Sequence, residues 1–80
     1  PDKKFYSLQA GAFLHRQNAF RMKTMLAGQG FDAKILILKD NKNRTWYLVR
    51  SGKFSNRSEA EKAAASMKKK SEARPVIRPF

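Results

Sequence analysis

Tyr6-Ser7-Leu8-Gln9-Ala10-Gly11-Ala12-Phe13 and Tyr47-Leu48-Val49-Arg50-Ser51-Gly52-Lys53-Phe54 are two versions of one eight-residue run, 41 positions apart. Both open on Tyr, alternate in the manner of a strand and close on Gly-x-Phe. The same offset lays Leu8 on Val49, Arg16 on Arg57, Ala19 on Ala60 and Leu26 on Met67. The match continues well past the strands, so the repeated object is a whole supersecondary unit. Two copies are too few for a solenoid, and two such units are expected to face each other across one sheet.

Each unit reads as strand, helix, strand. In the first, residues 5–10 set Tyr6, Leu8 and Ala10 against Phe5, Ser7 and Gln9, a period of two. Gly11 and Phe13 are expected to close a turn. A helix follows from His15 to about Ala27, with Ala19, Met22 and Leu26 at three-and-four spacing and Phe20 and Met25 flanking them. Gly28-Gln29-Gly30 is its stop signal. Residues 33–38 are rich in Ile and Leu and read as a second strand; residues 39–45 are polar and turn-prone. In the second unit, residues 46–51 alternate Tyr47, Val49 and Ser51 against Trp46, Leu48 and Arg50. Ser58-Glu59-Ala60-Glu61 has the pattern of a capping box ahead of an alanine-rich helix ending near Lys70. Lys68-Lys69-Lys70 fall in its last turn, where cations offset the negative end of the helix dipole. Pro75 and Pro79 withhold their N–H groups on one side of the last strand, about 74–80, which therefore belongs at a sheet edge.

Right-handed crossovers then give an α+β fold with βαββαβ order, of the ferredoxin-like or RNP-like kind. The sheet is four-stranded and antiparallel, with both helices on one face and the first and third strands central. Tyr6, Leu8, Tyr47, Val49, Ala33, Ile35 and Ile37 share the phase that faces the helices. The opposite face collects Phe5, Ser7, Gln9, Lys34, Leu36, Leu38, Trp46, Leu48 and Arg50. No third layer remains to cover it. An uncovered sheet face is ordinarily polar, whereas this one has Trp, Phe and Leu bordered by Lys34, Arg50 and Gln9, the make-up of a binding surface.

The 80 residues make one domain, and with no cysteine its core is held by packing alone. A hydrophobic fraction of 41% with nine aromatic residues suffices for that. Eighteen Lys and Arg against six Asp and Glu give a net charge of +12, which calls for an anionic partner. Catalysis finds no machinery. His15 is the single histidine and sits at a helix start; without a second histidine or a cysteine there is no transition-metal site. Glu59 and Glu61, two apart on a helix, point to different faces. Ser7, Ser51 and Ser58 have no base partner. The domain is expected to bind without converting its ligand, with no catalytic residue, metal or cofactor. Its first residue is Pro rather than Met, so it is expected to be cut from a longer protein.

The two quoted runs resemble the paired signatures of the SPOR (sporulation-related) domain family: aromatic-x-Val-Gln-Val-Gly-Ser-Phe in the first strand and Tyr-Arg-Val-Arg-Val-Gly-Pro-Phe in the third. Asn18-Ala19 and Glu59-Ala60 stand where that family has its Asn-Ala or Glu-Ala pair, and Gly30-Phe31 resembles its helix exit. The resemblance covers residues 5–80. Leu48, in place of a residue often polar, and Lys53, in place of the usual proline, depart from the pattern. What the resemblance implies is a domain from the C-terminal part of a bacterial envelope protein. It would bind peptidoglycan glycan strands stripped of stem peptides and so bring its parent to the division septum. Such strands carry free lactyl carboxylates and apolar sugar faces. On that reading Ser7, Gln9, Trp46, Leu48 and Arg50 are the binding residues, with Phe5, Lys34 and Leu36 as additional candidates. Trp46 would stack on a sugar, Gln9 and Ser7 would bond hydroxyls, and Arg50 would meet a carboxylate. The domain is expected to be monomeric, and to reach a membrane only through an anchor upstream. The alternative is an RNA-binding module that stacks bases on its sheet. Its RNP signature is missing from the third strand, so no nucleic acid is expected as partner.

Overall fold

A computed structural model describes residues 5–71 and 73–80. Pro1, on which the expectation of a longer parent rests, lies outside them. The elements run β1(Tyr6–Phe13), α1(Arg16–Gly28), β2(Ala33–Lys39), β3(Thr45–Phe54), α2(Arg57–Ser71) and β4(Val76–Pro79). The strands form one antiparallel sheet in the order β2-β3-β1-β4. This is the βαββαβ arrangement expected from the repeat, with β1 and β3 central. Pro79 lies opposite Tyr6, while the flanking Phe80 N–H donates to the Phe5 carbonyl at 2.8 Å. In an antiparallel ladder bonded and non-bonded pairs alternate, so the Pro79 nitrogen faces outward, where no strand follows among the described residues.

The repeat is a repeat of the core. Leu8 and Val49, Ala19 and Ala60, and Leu26 and Met67 are three equivalent pairs, and none of the six is more than 1% exposed. Tyr6, Phe13, Tyr47 and Phe54 pack around them. Gly11 and Gly52 earn their place by proximity: a Cβ on Gly11 would lie 2.7 Å from the Phe13 ring, and one on Gly52 would lie 2.5 Å from the Phe54 ring. Each Gly-x-Phe is thus a ring folded back over a bare backbone. These residues extend both strands, rather than closing turns as the alternation suggests. They do so at irregular points, for the β1–β3 register shifts between Tyr6 and Leu8 and again between Gln9 and Gly11. Gly52, at φ +81°, sits in the stretch where β3 spends three residues against two of β1.

Helix ends follow local chemistry. Gly30, at φ +91°, donates to the Ala27 carbonyl (3.1 Å) and Phe31 to Leu26 (2.9 Å), the paired bonds of a Schellman stop. His15 occupies the N-cap of α1 without a side-chain capping bond. The cap of α2 corrects the expected Ser58 box. The cap lies two residues earlier: the helix starts at Arg57, and Asn56 Oδ1 accepts the Glu59 N–H at 2.8 Å. Ile37 is a second correction. It has the core phase but is 69% exposed, because the helices cover only the near part of β2 and leave its far end bare.

Candidate functional site

Cross-strand register assembles the uncovered face in rows. Lys34 pairs with Arg50, and Arg50 with Gln9, across β2, β3 and β1. The next row is Leu36, Leu48 and Ala12; beyond it Leu38 pairs with Trp46. On the β4 side Ser7 pairs with Arg78 and Gln9 with Val76. Directly opposed residues share a face, so the eight residues singled out from the sequence lie on one surface, seven of them in this lattice of pairs. Ser7 alternates with them on β1, and Phe5 enters the same face at its start.

The face has two adjoining hollows with Arg50 between them. One, of about 520 Å³, is lined by Ser7, Lys34, Leu36, Lys53 and Phe80 as well as Arg50. The other, of about 670 Å³, is lined by Gln9, Leu38, Trp46, Leu48 and Arg78. Arg50 Nη1 donates to the Pro79 carbonyl at 3.3 Å, reaching across β1 to tie β3 to the edge strand β4. Its Nε and the Ser7 hydroxyl are buried without a hydrogen-bond partner among the described residues. Ser7 itself is only 2% exposed, so it forms the floor of its hollow and not a projecting contact.

Trp46 is held from the turn between β2 and β3. Its indole N–H donates to Asp40 Oδ2 at 2.9 Å, and Arg44 Nε donates to the same oxygen at 2.8 Å. Asp40 Oδ1 accepts the backbone N–H groups of Lys42 and Arg44, each at 2.9 Å. These four donors, the indole foremost, hold the Asp40 carboxyl well below the usual carboxylate range. The Arg44 guanidinium lies 5.5 Å from the centre of the indole ring. Trp46 therefore offers a ligand its ring carbons and not its N–H.

At the opposite end, Lys53 Nζ sits 4.4 Å from the Phe5 ring centre and 4.9 Å from that of Phe80. Lys53, Arg78 and Phe80 also line the two hollows, and sequence reasoning missed them. Arg78 was legible, being one residue before Pro79, whose outward nitrogen sets the phase of β4. Lys53 was not, because the irregularity at Gly52 breaks the alternation of β3.

The SPOR domain family model matches residues 2–79. Among solved structures, the chain is similar to the peptidoglycan binding domain of the B. subtilis cell wall lytic enzyme CwlC. The TM-score is 0.79 and the identity 29%, over 100% of this chain and 94% of that one. It is also similar to the RlpA SPOR domain from Pseudomonas aeruginosa, with a TM-score of 0.77 and 23% identity over 91% of this chain and 96% of that one. A putative exported protein from Burkholderia pseudomallei shares the fold at a TM-score of 0.78 and 21% identity, over 95% of this chain and 16% of that one. No curated protein matches the chain. Fold, doubled signature and family match coincide over nearly its whole length: the chain belongs to the SPOR domain family.

Proposed function

We propose that the domain binds peptidoglycan, laying a glycan strand across the uncovered sheet face, and that it prefers strands denuded of stem peptides. The carrying observation is the row Lys34–Arg50–Gln9 alongside the apolar row Leu36–Leu48–Ala12. A denuded strand presents free carboxylates and apolar sugar faces, and this face offers cations beside carbon surface. Arg50 meets a carboxylate through the donors that Pro79 leaves free, Gln9 bonds hydroxyls, and Trp46 stacks on a sugar ring. Ser7 floors the far hollow, with Lys34 and Leu36 on its β2 side, and Phe5 stands behind its Lys53. The role is non-catalytic binding, which places the parent protein in the bacterial envelope and draws it to the division septum where such strands occur. The 29% identity with a domain described as peptidoglycan-binding supports this reading. Single-stranded RNA fits less well, since the central strands offer one aromatic platform, Trp46, and its N–H is already engaged.

The test is retention of the domain on sacculi before and after amidase treatment, with single-stranded RNA in parallel. Retention should be higher on treated sacculi and should fall with added salt, as the Debye length shrinks from about 10 Å at 0.1 M to about 3 Å at 1 M. Equal retention on both materials, or a preference for RNA, overturns the proposal.

A further inference from the structure

The sheet has a glycan-facing side, and the helices present their own outer surface on the other. The molecule is a slab of 34 × 33 × 16 Å. Helix α1 carries Arg16, Arg21 and Lys23 and no acidic residue; α2 carries five cations against Glu59 and Glu61. None of these cations lines either hollow of the uncovered sheet face. Charge alone names no partner, but α1 and its approach also expose three large apolar residues: Leu14 (46%), Phe20 (59%) and Met25 (38%). Phe20 stands one turn from both Arg16 and Lys23, and Arg21 lies between it and Met25 on the outward side of the helix.

The internal repeat supplies a control. At the offset of 41, Leu14, Phe20 and Met25 correspond to Ser55, Glu61 and Ser66. The fold is therefore served by polar residues at all three places, and the apolar ones in the first half answer to something outside it. A soluble polyanion would be satisfied by the cations and would gain nothing from an exposed Phe. A bilayer surface rewards both, drawing cations to lipid phosphates and apolar side chains into the headgroup boundary. Among the described residues no helix is long and apolar enough to cross a membrane, so such contact is superficial.

We propose that the outer face of α1 is a docking surface for bilayers containing anionic phospholipid, with Phe20, Leu14 and Met25 entering the interface and Arg16, Arg21 and Lys23 meeting headgroup phosphates. The sheet face stays open, so the domain can lie between a membrane and a glycan strand and hold both.

The experiment is co-sedimentation of the domain with phosphatidylglycerol–phosphatidylcholine vesicles, phosphatidylcholine vesicles and, separately, binding to inorganic polyphosphate. Binding to the mixed vesicles should exceed that to the neutral ones. Phe20→Ser should weaken binding to mixed vesicles by about tenfold, the scale of one ring withdrawn from an apolar setting, while leaving polyphosphate and sacculus binding unchanged. Met25→Ser, which installs the residue type of the second half, is the independent variant and should weaken vesicle binding in the same selective way. The emission of Trp46, on the far side of the slab, should not shift. Vesicle binding indifferent to both substitutions, or equal on neutral vesicles, overturns the proposal. Sacculus retention of the unsubstituted domain is scored alongside, so its absence there would count against the sheet-face reading and not against this one, whereas its loss in Phe20→Ser or Met25→Ser would overturn the selectivity proposed here.

Discussion

The Trp46 indole N–H and the Asp40 carboxylate, six residues apart, are joined by a 2.9 Å hydrogen bond that fixes the one aromatic of the central open face from the tip of a hairpin. Replacing Asp40 with Ala should loosen the indole, move its emission and Nε1–H resonance, and lower sacculus binding although Asp40 is proposed to touch no ligand. Asp40→Asn should fall between the two, keeping an acceptor but losing the charge. A binding constant unchanged in both variants would mean that Trp46 needs no such support.

The same carboxyl makes a pH prediction with a definite sign. Its folded value lies below the ordinary 3.8, so its stabilisation is fully present above that pH and fades as pH falls below it toward the depressed folded value. The stability difference between the wild type and Asp40→Asn should thus be flat from neutral pH down to about 5 and shrink below 3.8. Urea unfolding at several pH values checks this; a difference that shrank between pH 7 and 5 would implicate another group.

The two Gly-x-Phe elements should differ in their tolerance of alanine. Gly11→Ala crowds the Phe13 ring and the Met22 sulfur at an ordinary backbone conformation, whereas Gly52→Ala crowds Phe54 and also forces a Cβ into a φ of +81°. The added backbone strain is about 1–2 kcal/mol, so Gly52→Ala should be the more destabilising by roughly that amount in urea titration.

Core and face can be separated by truncation. Leu8→Ala or Leu26→Ala should cost roughly 2–5 kcal/mol, whereas Ile37→Ser should stay within about 0.5 kcal/mol, as for a surface site. Among the ligand-facing residues, Gln9→Ala should be similarly neutral. Arg50→Ala should cost about 1 kcal/mol, because it releases the Pro79 carbonyl as well as the ligand. Chemical denaturation of all five, with sacculus binding measured on the last two, distinguishes these roles.

How much could be read in advance depended on the kind of information each residue carries. The repeat disclosed topology because Leu8/Val49, Ala19/Ala60 and Leu26/Met67 are pairs on which the packing insists. The open face could be read because alternation assigns phase. Phase does not say how far a covering layer extends, and so Ile37 has the phase of the core yet is exposed beyond the reach of the described helices. Nor does alternation survive a bulge, which hid Lys53 from the site. Ser7 had the right face but the wrong depth, since burial within a face depends on neighbours such as Arg78 and Phe80 on a strand far along the chain. The Asp40–Trp46 bond lay beyond pattern reading, because turn residues announce a reversal and not which side chain they will hold.

The strand order has a consequence for the integrity of the chain. All of the ladders, β2–β3, β3–β1 and β1–β4, join a strand of the first repeat to a strand of the second. Among the described residues, neither half contains a hydrogen-bonded strand pair of its own. Severed in the turn at Asn41–Lys42, the two fragments would each be left with a helix and two strands that cannot pair with each other, and each should be unstructured alone. Mixed, they carry complementary edges at every interface and should assemble into one sheet, so that recovery of the open face would report the meeting of two chains.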